Sequence, residues 1–293
     1  MPDRGRSLEF GLFVNPSVNG IEGALELAAL ADRLGLDFVS VQDHPYQRRF
    51  LDAFVLLGWI IARTERVRAF PNVANLPLRP PTMLAKAAAS LDRLSGGRFE
   101  LALGAGWAWP QIAAMGGPER TPGESVAAVE EGIGILRGAW RGEEAADYKP
   151  GPQPAHPIEI WIGAIGPRMM RLTARLSDGW LPSMSYVPPD RMAAGQTLID
   201  ETAAEAGRDP AEIRRLYNLS GKITDGARGQ AALEGPAEHW VDTLAGWATQ
   251  EGVDTFIASP GEGSLEQVER FAGEVVPAVR DAVESARRRT PLG

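Results

Sequence analysis

The 293-residue chain contains no cysteine. Disulfides, thiolate nucleophiles, iron–sulfur clusters and cysteine-ligated zinc are all excluded by that absence. Histidine is almost as scarce, with three copies, so each one has to be accounted for. Positive charge is in deficit: 30 Lys and Arg stand against 38 Asp and Glu, a formal net charge of -8. Nucleic acid and anionic membrane surfaces both call for a basic face, and neither is an expected partner. No apolar run approaches the roughly 20 residues that span a bilayer. The opening MPDRGRSLEF enters a strand-like segment without the apolar region of a signal peptide, so a cytoplasmic protein is expected.

What the chain does have is alternation. Apolar runs of strand length, such as LEFGLFV, DFVSVQ, RFELALGAG, IEIWIGA and VDTFIAS, are each followed by a longer stretch of helical period. IEGALELAALADRLG, for example, puts Ile21, Leu25, Ala28 and Leu34 on one face and stops at Gly35. Eight such strand–helix units, averaging about 37 residues, predict one (β/α)8 barrel over residues 1–293. A doubly wound open sheet is the alternative, but it rarely needs eight units. DYKPGPQPAHP reads as a surface connection before strand five, and residues 284–293 as a frayed, solvated tail.

In a barrel, the active site is built from loops at the carboxyl ends of the strands. That rule sorts the unusual residues. VQDHPY follows strand two, NVANLPLRPP strand three, GAGWAWPQ strand four, GAIGPRMM strand five and PSMSY strand six. His44 thus falls at the mouth, while His156 and His239 lie away from it. Gly163, Ala164, Ile165 and Gly166 lead into a helix whose first residue is Pro167, a start that offers free N–H groups to a phosphate, with Arg168 beside it. A plain strand-to-helix turn is the simpler reading. Asn72 and Asn75 end a strand that should be buried, and their amides need partners that a heterocycle could supply, unless they merely cap a turn before Pro77. Gly104 and Gly106, on either side of Ala105, open space beside Trp107 and Trp109, which can wall a flat ring or pack a core. No GxGxxG follows strand one and no clustered His/Asp ligands appear, so a metal centre would have to be assembled from His44 and scattered carboxylates.

Together these blocks resemble the luciferase-like monooxygenase superfamily, barrels that bind FMN or the 8-hydroxy-5-deazaflavin coenzyme F-420. The resemblance runs through nearly the whole chain and is most specific in NVANLPLRPP...LDRLSGGRFELALGAGW and IWIGAIGPRMMRLTARLSDGWLPS. It implies that Asn72-Val73 is a non-prolyl cis peptide supporting the ring, that Asn75 bonds the ring edge, and that Gly163 to Gly166 hold the phosphate. It also implies that Asp43 and His44 are an acid–histidine pair facing the reactive ring, with His44 giving or taking a proton. Trp107, Trp109, Trp180 and Tyr186 would line the pocket of a small, mainly apolar substrate. Two departures stand out: Trp107 replaces the glutamate of deazaflavin sugar-phosphate dehydrogenases, and Ala105 the arginine of bacterial luciferase. The implied activity is oxidation with reduced FMN and oxygen, served by a separate flavin reductase, in a homo-oligomer. Hydride transfer with F-420, a flavin-binding barrel without turnover and a metal-dependent hydrolase are the alternatives.

Overall fold

The structure, a computed structural model, describes residues 3–144, 148–259 and 265–289. Its strands are β1 (Glu9–Val14), β2 (Phe38–Val41), β3 (Arg68–Pro71), β4 (Ala74–Asn75), β5 (Leu101–Gly104), β6 (Ile160–Ile162), β7 (Gly179–Trp180), β8 (Arg214–Ser220), β9 (Lys222–Ile223), β10 (Glu234–Gly235) and β11 (Thr255–Ser259). All but β9 and β10 form one parallel sheet, in the order β3-β2-β1-β11-β8-β7-β6-β5-β4. The sheet closes where Ala69 bridges Phe99: Ala69 N–H donates to Arg98 O, and Glu100 N–H donates to Ala69 O. The expected (β/α)8 barrel is present. Strand three is split into β3, paired with β2, and β4, paired with β5.

The helices are α1 (Ile21–Leu34), α2 (Ala53–Ile61), α3 (Pro81–Ser95), α4 (Trp109–Ala114), α5 (Pro122–Arg141), α6 (Pro167–Leu176), α7 (Pro189–Glu205), α8 (Ala237–Gln250), α9 (Leu265–Arg270) and α10 (Val276–Arg289). Local chemistry sets their ends. Thr121 and Glu124 form a reciprocal capping box ahead of α5, with Pro122 at the first helical position. Gly96 stops α3 in the left-handed conformation that an L side chain resists. The short α4, inside the loop after β5, was not anticipated. The terminal region is also firmer than expected: α10 continues to Arg289, and Arg287 pairs with Asp3 at 2.5 Å instead of standing in solvent. Residues 290–293 of that tail, and Asp147 of the predicted surface connection, lie outside the described residues.

Alternation along each strand makes two cores. Outward residues such as Val39, Leu103, Ile162 and Trp180 pack under the helices. Inward residues Phe38, Phe70, Ala102, Trp161, Leu181, Leu216 and Ile257 fill the barrel, with Phe13 and Val73 against them. Trp161 meets Phe38 and Phe70 edge-on, at centroid distances of 5.4 and 4.9 Å. Each such pair contributes about 0.5–1.5 kcal/mol beyond its area. The indole needs room: a Cβ on Gly179 would sit 2.6 Å from Trp161 Cδ1.

Below this layer the barrel is closed by charge. Arg68 and Arg214 both pair with Glu9; Arg68 also lies 3.5 Å from Glu100, and Arg214 3.1 Å from Glu159. His156 adds a third cation, bonding buried Asp92 through Nδ1 at 2.6 Å and Glu100 through Nε2 at 3.2 Å. These two bonds push its pKa up to about 10. A pKa above the unfolded value of about 6.5 means stabilisation that is full below that value and lost as pH rises toward 10. His156→Gln should therefore cost roughly 1–3 kcal/mol at about pH 6. Urea unfolding should show wild type and variant converging as the buffer approaches pH 10.

Candidate active site

The carboxyl ends of the strands meet on one rim, and specific contacts join them. Asp43, after β2, is 2 % exposed. It accepts from the Asn75 N–H at 2.8 Å and from Arg79 Nε and Nη2 at 2.6 and 2.7 Å. Arg79 also reaches Asp52 at 2.7 Å, and Asp52 caps α2 through the N–H groups of Phe54 and Val55. The loops after β2 and β4 are thus clamped together by one desolvated, bidentate ion pair.

Four polar side chains cover the aromatic core. Asn72 Nδ2 donates to Asn218 Oδ1 at 2.6 Å and to Ser40 Oγ at 3.2 Å. Asn218 Nδ2 donates back to Asn72 Oδ1, and to Ser183 Oγ, both at 3.1 Å. Above them the Asn72–Val73 peptide is cis. The Val73 methyls occupy the notch left by two glycines: a Cβ on Gly104 would lie 2.6 Å from Val73 Cγ2, and one on Gly163 3.3 Å from Cγ1. The Oδ1 of buried Asn75 has no hydrogen-bond partner among the described residues.

After β6, Gly166 precedes α6 with no side chain capping the first turn. Ile165, Gly166, Pro167 and Arg168 are exposed, and Arg168 has no ion pair among the described residues. This turn is held from behind, where Trp180 Nε1 donates to Ala164 O at 2.9 Å. Uncapped N–H groups, the helix dipole and a free guanidinium together suit a phosphate.

On the facing side, His44 Nδ1 and the Tyr46 hydroxyl are 2.7 Å apart. Trp107 stands edge-on to His44 at 6.3 Å. Trp107 and Tyr186 are 67 % and 59 % exposed at the rim, while Trp109 begins α4 and packs over Gly106. Burial holds the His44 pKa below its ordinary value, against the opposing pull of the Asp43 charge. Burial, and then the Asp43 charge, raise that of Tyr46.

Three expectations from sequence are corrected here. Asp43 is no partner of His44 in a catalytic pair; both its oxygens are held by Arg79 and Asn75, so it is a positioning residue. Asn72 needs no heterocycle, since Asn218 and Ser40 satisfy its amide. Trp180 does not line the pocket: it is fully buried on the outer face of the barrel wall, pressed against Gly195 of α7. Arg79, considered for an anionic ligand, is neutralised by Asp43 and Asp52. Tyr46, Ser40, Ser183 and Asn218 were missed. Tyr46 was within reach, two residues past His44; an asparagine inside a strand carries no signal without its partner.

No group of three or more His, Cys, Asp or Glu is arranged to hold a metal among the described residues. A cleft of about 820 Å³ opens at the opposite end of the barrel, lined by Arg137, Arg141, His156, Glu159 and Asp178. There Arg137 pairs with Asp178 at 2.9 Å and Arg141 with Glu143 at 2.6 Å.

Fold and rim define a parallel barrel enzyme with its site at the carboxyl face. The chain belongs to the luciferase-like monooxygenase family, whose profile matches residues 8–273. Among its relatives is a Mycobacterium tuberculosis protein named as a coenzyme F-420-dependent oxidoreductase, 34% identical over 62% of this chain and 56% of its own length. Pyrimidine monooxygenase RutA of Escherichia coli is 26% identical over 71% of this chain and 61% of its own. The chain therefore spans less than two thirds of either relative. In three dimensions, it is similar to an F-420-dependent secondary alcohol dehydrogenase bound to an F-420-acetone adduct, with a TM-score of 0.80 at 18% identity, covering 94% and 100% of the two chains. It is also similar to a riboflavin lyase bound to modified FMN, with a TM-score of 0.75 at 15% identity, covering 94% and 92%. The family consists of oxidoreductases and monooxygenases, and both coenzyme types occur among these neighbours.

Removing the Asp43 charge leaves Arg79 with Asp52 alone and frees the Asn75 N–H. Asp43→Ala should cost roughly 3 kcal/mol, read as a lower urea midpoint.

Proposed function

We propose that the rim binds FMN and that the enzyme uses reduced FMN and oxygen to oxidise a small, mainly apolar molecule. The observation that carries this reading is the buried Asn75 Oδ1, an acceptor left without a donor in a rim that satisfies its other amides. A ring N–H of the coenzyme supplies what is missing. The residues fit the rest of the group as well: Val73 offers an apolar support beside Gly104 and Ala105, and the turn Gly163–Gly166 with Arg168 offers a seat for the phosphate. When bound and reduced, the coenzyme supplies the electrons. A separate flavin reductase is the source of its reduced form.

The chain's own contribution is orientation, exclusion of water and a proton at a fixed place. Trp107, Trp109 and Tyr186 wall the substrate side and keep it dry. His44, neutral near pH 7 because burial lowers its pKa, offers an uncharged imidazole to the reacting molecule. With F-420 in the same seat the enzyme would transfer hydride instead. That second reading is favoured by the 34% identical relative and by the unpaired Arg168, which can serve a longer anionic tail.

Titration of the protein with each coenzyme, followed by fluorescence, separates the two; tighter binding of F-420 would assign the second. His44→Ala should lower turnover by about 10²-fold or more while leaving the coenzyme Kd unchanged. Because the neutral imidazole is the working form, the acid limb of kcat/KM should fall below pH 6.5, the ordinary histidine value.

A further inference from the structure

We infer that Trp180 is a positioning residue for the coenzyme phosphate: from the outer face of the barrel wall, its indole sets the shape of the Gly163–Gly166 turn. The phosphate seat is that of the function proposed above, on which this role rests. Strand parity puts the indole in place. Ile162 of β6 stands opposite Trp180 of β7 in the sheet register. Ile162, Ala164 and Trp180 all belong to the core packed under the helices. The indole therefore lies along the outside of the wall and reaches the residue two positions beyond Ile162, where Trp180 Nε1 donates to Ala164 O at 2.9 Å.

An indole N–H can only donate, so the direction of this bond is fixed. Ala164 is fully buried, and no other group among the described residues donates to its carbonyl. A buried carbonyl stripped of its donor costs enough to make its surroundings rearrange. Trp180 is also the only side chain among the described residues that bonds the turn. The same turn and the helix start after it carry the groups offered to a ligand: the N–H groups of Ile165, Gly166, Arg168 and Met169 have no acceptor among the described residues. Behind the indole there is no slack. A Cβ on Gly195 of α7 would lie 2.4 Å from Trp180 Cη2 and 3.0 Å from Cζ2. Thus α7 backs the indole, the indole holds the Ala164 carbonyl, and the carbonyl orients the peptides that open α6.

FMN and riboflavin, which share a ring and differ by the phosphate, make the test, by fluorescence titration of the full chain. Wild type should bind FMN roughly tenfold or more tighter than riboflavin. Trp180→Phe keeps an aromatic ring and removes the N–H. It should shrink that preference about three- to tenfold and leave riboflavin affinity unchanged. Gly195→Ala approaches from a helix outside the barrel wall. Alanine suits a helix interior better than glycine, so α7 is not weakened, yet the added methyl displaces the indole, and FMN affinity should again fall alone. Unchanged riboflavin binding reports an intact rim, which a general loss of structure would not leave. If F-420 proves the tighter ligand, the same comparison is made between F-420 and its phosphate-free 8-hydroxy-5-deazariboflavin. Variants that keep the wild-type preference for the phosphorylated ligand would overturn the inference, as would losses shared equally by both ligands. A wild type that binds the ring equally with or without phosphate would also overturn it, leaving the ring site standing. A wild type that binds none of the four would instead remove the coenzyme reading itself, and this role with it.

Discussion

The rim depends on the ion pair between Asp43 and Arg79. Two loops that are 36 residues apart in sequence carry no regular ladder between their tips, and backbone hydrogen bonds cannot fix their spacing. A buried carboxylate with three donors can, because each donor comes from a defined direction. With Asp43 held, the Asn75 backbone is held as well, and its side-chain oxygen is left buried with no hydrogen-bond partner among the described residues. The cation of this pair is also tied to the cap of α2, so the helix start shares the same anchor.

Around that clamp, glycine and valine do the shaping. Sheet pairing passes from β2 to β5 between Pro71 and Ala74, and Val73 is carried inward over two positions that lack side chains. The rim therefore owes its contour to what the neighbouring strands omit. Beneath it, Asn72, Asn218, Ser40 and Ser183 consume one another's hydrogen-bonding capacity, giving a polar floor that makes no demand on a ligand. This division matters for reading sites in general: a buried amide at an active-site rim is a ligand contact only where the protein has not already paired it.

Much of the fold was legible because its signals are local. Strand and helix alternate with period, and Gly35 ends α1. The rule that barrel chemistry lies at the carboxyl ends then placed His44, Asn75, Trp107 and Gly163 to Gly166 on one rim. What escaped notice was pairing across long separations. Asp43 and His44 are adjacent, so a dyad was the natural reading, yet neighbours in a loop point apart, and Asp43 found its partner in Arg79. Asn72 looked orphaned because Asn218 is 146 residues away. Trp180 looked like a wall of the pocket because of its position at a strand end; the parity of one residue along β7 sends it to the outer face instead, with Leu181 turned inward.

The charged base of the barrel bears on how the two ends can differ. Glu9, Arg68, Glu100, Glu159, Arg214 and His156 form a chain of ions at the amino ends of the strands, and above them the Phe38, Phe70 and Trp161 rings pack edge-on. On the function proposed above, coenzyme and substrate would both approach from the carboxyl face. A proton or product arising at His44 would then leave by the way the reactants came.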